Sequence, residues 1–61
     1  MPTITYDGPA ISISEKRIAA KEITDTICKA TNLPPASVVV VFKENAPENV
    51  AVSGNLIVDR K

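Results

Sequence analysis

The chain begins with an alternation. Pro2, Ile4 and Tyr6 fall on one side of residues 2–7, and Thr3 and Thr5 fall on the other. A period of two in a stretch rich in β-branched residues predicts a strand with one face turned to a core. Asp7-Gly8-Pro9 is a breaker cluster that ends it. The period then lengthens. Ser12-Ile13-Ser14-Glu15 has the S-x-x-E spacing of a capping box, in which the Ser12 hydroxyl caps an amide of the first turn and Glu15 reaches back to the Ser12 amide. A helix is predicted from there. At about 100° per residue, Ala19, Ala20, Ile23, Ile27 and Ala30 form one stripe, with Lys21, Glu22, Asp25 and Lys29 opposite. Lys21 with Asp25, and Asp25 with Lys29, have the i,i+4 spacing that lends weak ionic support. Ile18 falls among the charges, either as an exposed isoleucine or as a subunit contact. Asn32 suits a left-handed helix cap, and Pro34-Pro35 prevents continuation.

The run SVVVVF at 37–42 carries the most information about the fold. A half-buried strand alternates, whereas consecutive apolar β-formers predict burial on both faces, as in a parallel sheet covered on both sides. One helix covers one face only, so the other face calls for a second copy of the chain. Strand, helix, strand predicts a right-handed crossover with the two strands parallel. NAPEN at 45–49 reads as a turn. Val50-Ala51-Val52 and Leu56-Ile57-Val58 then flank Ser53-Gly54-Asn55 as a small hairpin, too short to stand alone and expected to pair with or pack on a neighbouring subunit. Asp59-Arg60-Lys61 forms a polar tail. The predicted fold is α/β: a single domain over 1–61, built as βαβ with parallel strands, one long helix and a short C-terminal β-hairpin, oligomerising through the sheets.

Composition sharpens the need for a partner. A chain of this length buries only about 60% of its unfolded surface, and such chains usually need a staple. Cys28 is the only cysteine and there is no histidine, so neither a disulfide nor an ordinary zinc site is available. Oligomerisation remains. Seven basic and seven acidic residues cancel, and Tyr6 and Phe42 are the only aromatics. Neither a basic field nor a stacking platform favours nucleic acid. No apolar run approaches the roughly 20 residues of a membrane span, and nothing resembles a signal peptide. The expectation is a cytoplasmic protein with neither nucleic acid nor membrane as partner.

The usual catalytic sets are missing. Histidine-dependent triads are excluded, and Gly8 and Gly54 stand alone, so no phosphate-cradling loop exists. Cys28 lies near the apolar stripe and reads as a buried structural thiol. Glu44, Glu48 and Asp59 read as solvated carboxylates. Pro2 is left, with two readings. It occupies the first position of a strand, one of the few sheet positions that tolerate proline. Removal of Met1 would also make its ring nitrogen a secondary amine. An N-terminal amine titrates at about 7.7–8.0 in peptides, and burial or nearby positive charge moves it towards neutrality. A base poised near 7 suits general catalysis.

Taken together, Met1-Pro2 before a strand, Ser12 to Glu15 opening a long helix, Ser37 leading an apolar strand to Glu44, and the hairpin at Val52 to Asn55 resemble the 4-oxalocrotonate tautomerase family of the tautomerase superfamily. The resemblance spans nearly the whole chain. It implies a cofactor-free keto–enol tautomerase in which processed Pro2 is the general base, acting on a small 2-hydroxy-dienoate or 2-oxo acid. It also implies a homohexamer built as a trimer of dimers, and it involves no metal. The chain departs from the family where substrate-gripping arginines and an aromatic are expected: the matching positions are Ile11, Val39 and Val50. Other cations then have to hold the substrate. Lys16 aligns with a family lysine and lies by helix phase towards the apolar stripe, with Arg17 and Lys43 as further candidates. Arg60 from a neighbouring chain is the leading one, because arginine binds carboxylate bidentately. Two alternatives stand beside this: a related hydratase or decarboxylase, and a tautomerase-fold oligomer without turnover that serves as a binding or structural module.

Overall fold

The computed structural model describes residues 1–60; Lys61 of the polar tail lies outside the described residues. The order is β1 (Thr3–Gly8), α1 (Ile13–Thr31), β2 (Val39–Glu44), β3 (Ala51–Val52) and β4 (Asn55–Leu56), with single 3-10 turns at Pro35–Ser37, Pro47–Asn49 and Ile57–Asp59. β1 and β2 pair in parallel, Thr3 beside Val39 through Gly8 beside Glu44, and β3 pairs antiparallel with β4. The predicted βαβ unit with parallel strands, one long helix and a C-terminal hairpin is the observed fold.

Local chemistry sets the helix ends. The Glu15 N–H donates to Ser12 Oγ at 3.1 Å, and the Ser12 N–H donates to Glu15 Oε1 at 2.9 Å, so both halves of the capping box are made. At the other end Asn32 takes the left-handed conformation, φ 60°, and its N–H donates to the Cys28 carbonyl at 2.8 Å. Ala19, Ala20, Ile23 and Ile27 are half-buried as the stripe predicts, whereas Ala30, in the last turn, is exposed. The i,i+4 pairs of the outer face do not close. Among the described residues the one ion pair joins Lys16 to Glu44. Exposed long side chains gain too little from pairing to offset the freedom they lose.

β1 alternates as expected, with Pro2, Ile4 and Tyr6 half-buried and Thr3 and Thr5 exposed. Ile4 lines a groove with Ile23 and Ile27, which puts its face under the helix. In a parallel pair register partners share a face, so Val40 joins Ile4 there, and Phe42 lies against Tyr6 with ring centroids 5.8 Å apart. Val39 and Val41 alternate onto the face that the helix leaves uncovered. Among the described residues no side chain is fully buried.

The hairpin departs from its sequence reading in two ways. Its loop is Ser53-Gly54 alone, both at positive φ (53° and 82°), the conformation that fits the twist of a two-residue hairpin. Ile57 and Val58 leave the strand for a 3-10 turn. The ladder adds one more bond, from the Ile57 N–H to the Val50 carbonyl at 2.8 Å, and the Arg60 N–H then closes the turn on the Ile57 carbonyl at 3.0 Å. Hairpin and turns pack chiefly on one another. The radius of gyration, 14.9 Å, is well above the ~10 Å of a compact domain of this length, and the longest extent is 44 Å.

Candidate active site

Pro2 sits at the mouth of β1. Its carbonyl accepts the Val39 N–H at 2.9 Å, while the ring nitrogen has no hydrogen to give. The residue is thus anchored through its oxygen, leaving the nitrogen out of the ladder. Met1 ahead of it is 88% exposed. Around it the strands carry only Thr3, Ile4, Val38, Val39 and Val40, and the first charges, Asp7 and Lys43, come four register steps further on at the opposite end.

That opposite end is densely tied. Lys16 Nζ lies 3.0 Å from Glu44 Oε2, and the same oxygen accepts the Ile11 N–H at 3.0 Å. The Lys16 hydrogen bond, followed by that from Ile11, holds the Glu44 carboxyl below the usual glutamate range. Tyr6 Oη donates to the Pro9 carbonyl at 2.9 Å, the Asn45 N–H donates to the Gly8 carbonyl at 2.8 Å, and the Asn45 side-chain amide donates to Asp7 Oδ1. Glu44, read from sequence as solvated, is therefore a structural clamp on the β1–α1 loop. Sequence gives no local sign of this, because Ile11 and Glu44 meet only through the crossover.

The sequence-derived site residues do not converge within one chain. Six residues of β1 separate Pro2 from the Gly8 end, a distance of about 20 Å in an extended strand. Lys16 belongs to the far end and spends its charge on Glu44. Arg60 is exposed beyond the same end, beside Val52, Ser53, Asn55 and Asp59. Ile11 is half-buried in the clamped loop, Val39 adjoins Pro2, and Val50 is half-buried at the root of the hairpin. Arg17 and Lys43 are exposed. Cys28 is half-buried in α1, less covered than the buried thiol that its place near the stripe predicts. Among the described residues no group of histidine, cysteine or acidic side chains is arranged to hold a metal ion, and no helix is long and apolar enough to cross a membrane.

A family model described as "Tautomerase enzyme" matches residues 8–60. No curated protein matches the chain. Solved structures do. A homologue of 4-oxalocrotonate tautomerase named YwhB superposes with a TM-score of 0.90 at 21% identity, covering 98% of this chain and 100% of its own. A second 4-oxalocrotonate tautomerase homologue gives 0.93 at 19% identity over 100% and 98%. DmpI from Archaeoglobus fulgidus gives 0.85 at 26% identity over 95% and 100%. At such identities the first two show a shared fold; residue roles do not transfer with it.

Proposed function

The chain belongs to the tautomerase family, and from that premise we propose that it is a cofactor-free keto–enol isomerase whose general base is Pro2, freed as the N-terminal residue by removal of Met1. The observation that carries this is the setting of Pro2. It is tethered by its carbonyl to Val39, its nitrogen is outside the ladder, and every neighbouring strand residue is uncharged. An amine in apolar surroundings is biased to the neutral, basic form, because desolvation penalises its ammonium. Neutral Pro2 takes the proton of the enol hydroxyl of a small 2-hydroxy-dienoate and the prolinium returns it to a carbon of the same molecule; with a 2-oxo acid the same groups run in the opposite direction, the proton leaving C3 and returning to the carbonyl oxygen. No redox change or second substrate is required.

The working unit is an assembly of copies in the cytoplasm, a homohexamer of three dimers. A chain with no fully buried side chain among the described residues and with an uncovered sheet face has surface to give to partners. Arg60 of a neighbouring copy grips the substrate carboxylate, and Lys16, engaged by Glu44, supports the loop. The second reading, an oligomer that binds without turnover, draws on Ile11, Val39 and Val50 standing where the family resemblance calls for two arginines and an aromatic. A related hydratase or decarboxylase would need an acidic group near Pro2 to activate water, and none lies among the strand residues around it.

Intact-mass measurement of natively processed protein is expected to show loss of Met1. The processed protein should ketonise 2-hydroxymuconate or enolise 2-oxo acids, and Pro2→Ala should lower kcat by about 10²–10⁴-fold, the usual worth of a positioned acid–base group. Equal turnover by the variant would exclude Pro2 as the base.

A further inference from the structure

The hairpin and the 3-10 turn after it enclose a recess of about 370 Å³, lined by Val52, Ser53, Asn55, Asp59 and Arg60. We propose that this recess reads charge: it prefers a substrate with one carboxylate and a cationic tail, such as an ammonium a few bonds away, over a dicarboxylate. The proposal rests on Arg60 being the residue that grips the substrate carboxylate.

The backbone brings both signs of charge to one place. Ser53 and Gly54 reverse the chain at positive φ, and the Arg60 N–H closes the following turn on the Ile57 carbonyl at 3.0 Å. Residues 59 and 60 thereby return beside residues 53 and 55. Both Asp59 and Arg60 are exposed, and the ion pair among the described residues involves neither of them. A guanidinium and a carboxylate are thus both open to a ligand in the same recess.

The pairing of signs chooses the occupant. A guanidinium receives a carboxylate through two parallel N–H donors. The Asp59 carboxylate beside it attracts a cation and repels an anion, and at about 4 Å one such contact is worth about fivefold in affinity even in water. The Ser53 hydroxyl and the Asn55 carboxamide add neutral donors and acceptors. That carboxamide is lightly committed, donating to the Ser53 carbonyl at 3.4 Å. The recess is therefore neutral as a whole but polar within. A ligand with a carboxylate at one end and a cation at the other satisfies both charges, whereas a dicarboxylate sets its second anion against Asp59. Discrimination of this kind comes as much from the repulsive group as from the attractive one.

The other concavities lack this balance. The groove along the helix holds Glu22 without a cation, and the cleft below the β1–α1 loop holds Asp7 without one. Charge selection falls to the Arg60 recess, and the proton transfer at Pro2 is unchanged by it.

The test uses the full, Met1-free chain in its native assembly. Three unreactive acids of equal length differ only in the end group: 4-aminobutanoate, pentanoate and glutarate carry an ammonium, a methyl and a carboxylate. Followed by the Val52 methyl and Asn55 side-chain amide resonances, they are expected to bind in that order, with about fivefold or more between the first and the last. Asp59→Asn should abolish the order at unchanged oligomeric mass, and Arg60→Gln should weaken all three. Turnover is read as deuterium exchange at C3 of 2-oxohexanoate and 2-oxoadipate. Asp59→Asn should raise kcat/KM for 2-oxoadipate relative to 2-oxohexanoate by about fivefold. Equal or tighter binding of glutarate by the wild type would overturn the proposal, as would an Asp59→Asn protein that keeps the original order. Failure of the reading beneath it looks different: Arg60→Gln would weaken probe binding and leave kcat/KM for both 2-oxo acids unchanged.

Discussion

At one end of the β1–β2 pair, Pro2 is held through its carbonyl alone among uncharged neighbours. At the other, Tyr6, Asp7, Ile11, Lys16, Glu44 and Asn45 are joined by side-chain hydrogen bonds and an ion pair. Both ends belong to the same six-residue strands. A chain this short has few polar contacts to distribute, and they are concentrated at the end away from the nitrogen proposed as base. That keeps the surroundings of Pro2 apolar, which favours its neutral form, and keeps the loop and the root of the hairpin fixed. The open end and the fixed end of one chain lie about a strand length apart, so in the proposed assembly they would meet across copies.

The strongest way to break this arrangement is to stop the ends from meeting. Val52, Leu56, Ile57 and Val58 are 47%, 40%, 37% and 57% exposed, apolar side chains of the hairpin and the turn after it that the described residues leave partly open. Val58→Asp places a charge on that surface and is expected to reduce the assembly to smaller species in sedimentation, with activity falling alongside. An oligomer of unchanged mass would show that the hairpin is not part of the interface. If the proposed assembly couples folding to association, the midpoint of thermal unfolding should rise with wild-type concentration and lose that dependence in Val58→Asp.

Much of the fold was readable locally. Ser12 and Glu15 form the capping box that their spacing predicts, Asn32 takes the left-handed cap, and the period-two pattern of β1 matches its burial. These signals sit within a few residues of the feature they specify. What was not readable depended on topology. The Glu44 clamp joins residues that are 33 apart, and its existence follows only once the helix start is stacked on the end of β2. Ile57 and Val58 look like strand, but after a single ladder bond to Val50 the chain turns. The site divides the same way: elimination and family resemblance single out Pro2, whereas the separation of Lys16 and Arg60 from it appears only when the strands are laid parallel.

A milder perturbation addresses the fixed end through the helix that leads away from it. Ser12→Ala removes the acceptor for the Glu15 N–H and is expected to lower stability by about 1 kcal/mol, the usual cost of losing such a cap. Measured as a shift in urea midpoint at constant protein concentration, with unchanged m-value, it should leave probe selectivity intact. A loss of selectivity without a loss of stability would mean that the cap acts on the recess directly.

The smallest expected effect bears most closely on the contrast between the ends. The Glu44 carboxyl is held below its ordinary value of 4.5 by the hydrogen bond from Lys16 and then by that from the Ile11 N–H, and Glu15 is lowered by the Ser12 backbone and then its hydroxyl. A carboxylate whose folded pKa is depressed contributes stability that is fully present above the unfolded value and is lost as pH falls through the folded one. The wild-type unfolding midpoint should therefore decline in acid, beginning near the unfolded glutamate value and continuing below it. Glu44→Gln should flatten that decline in part, leaving the share that belongs to Glu15, with the two proteins converging once Glu44 is protonated. The clamp lies a strand length from Pro2, so the acidic limb of the activity profile, where protonation of the proline amine removes the base, should not move in the variant. Movement of that limb would mean that the Glu44 charge reaches the base, and the two ends would then be electrostatically one site.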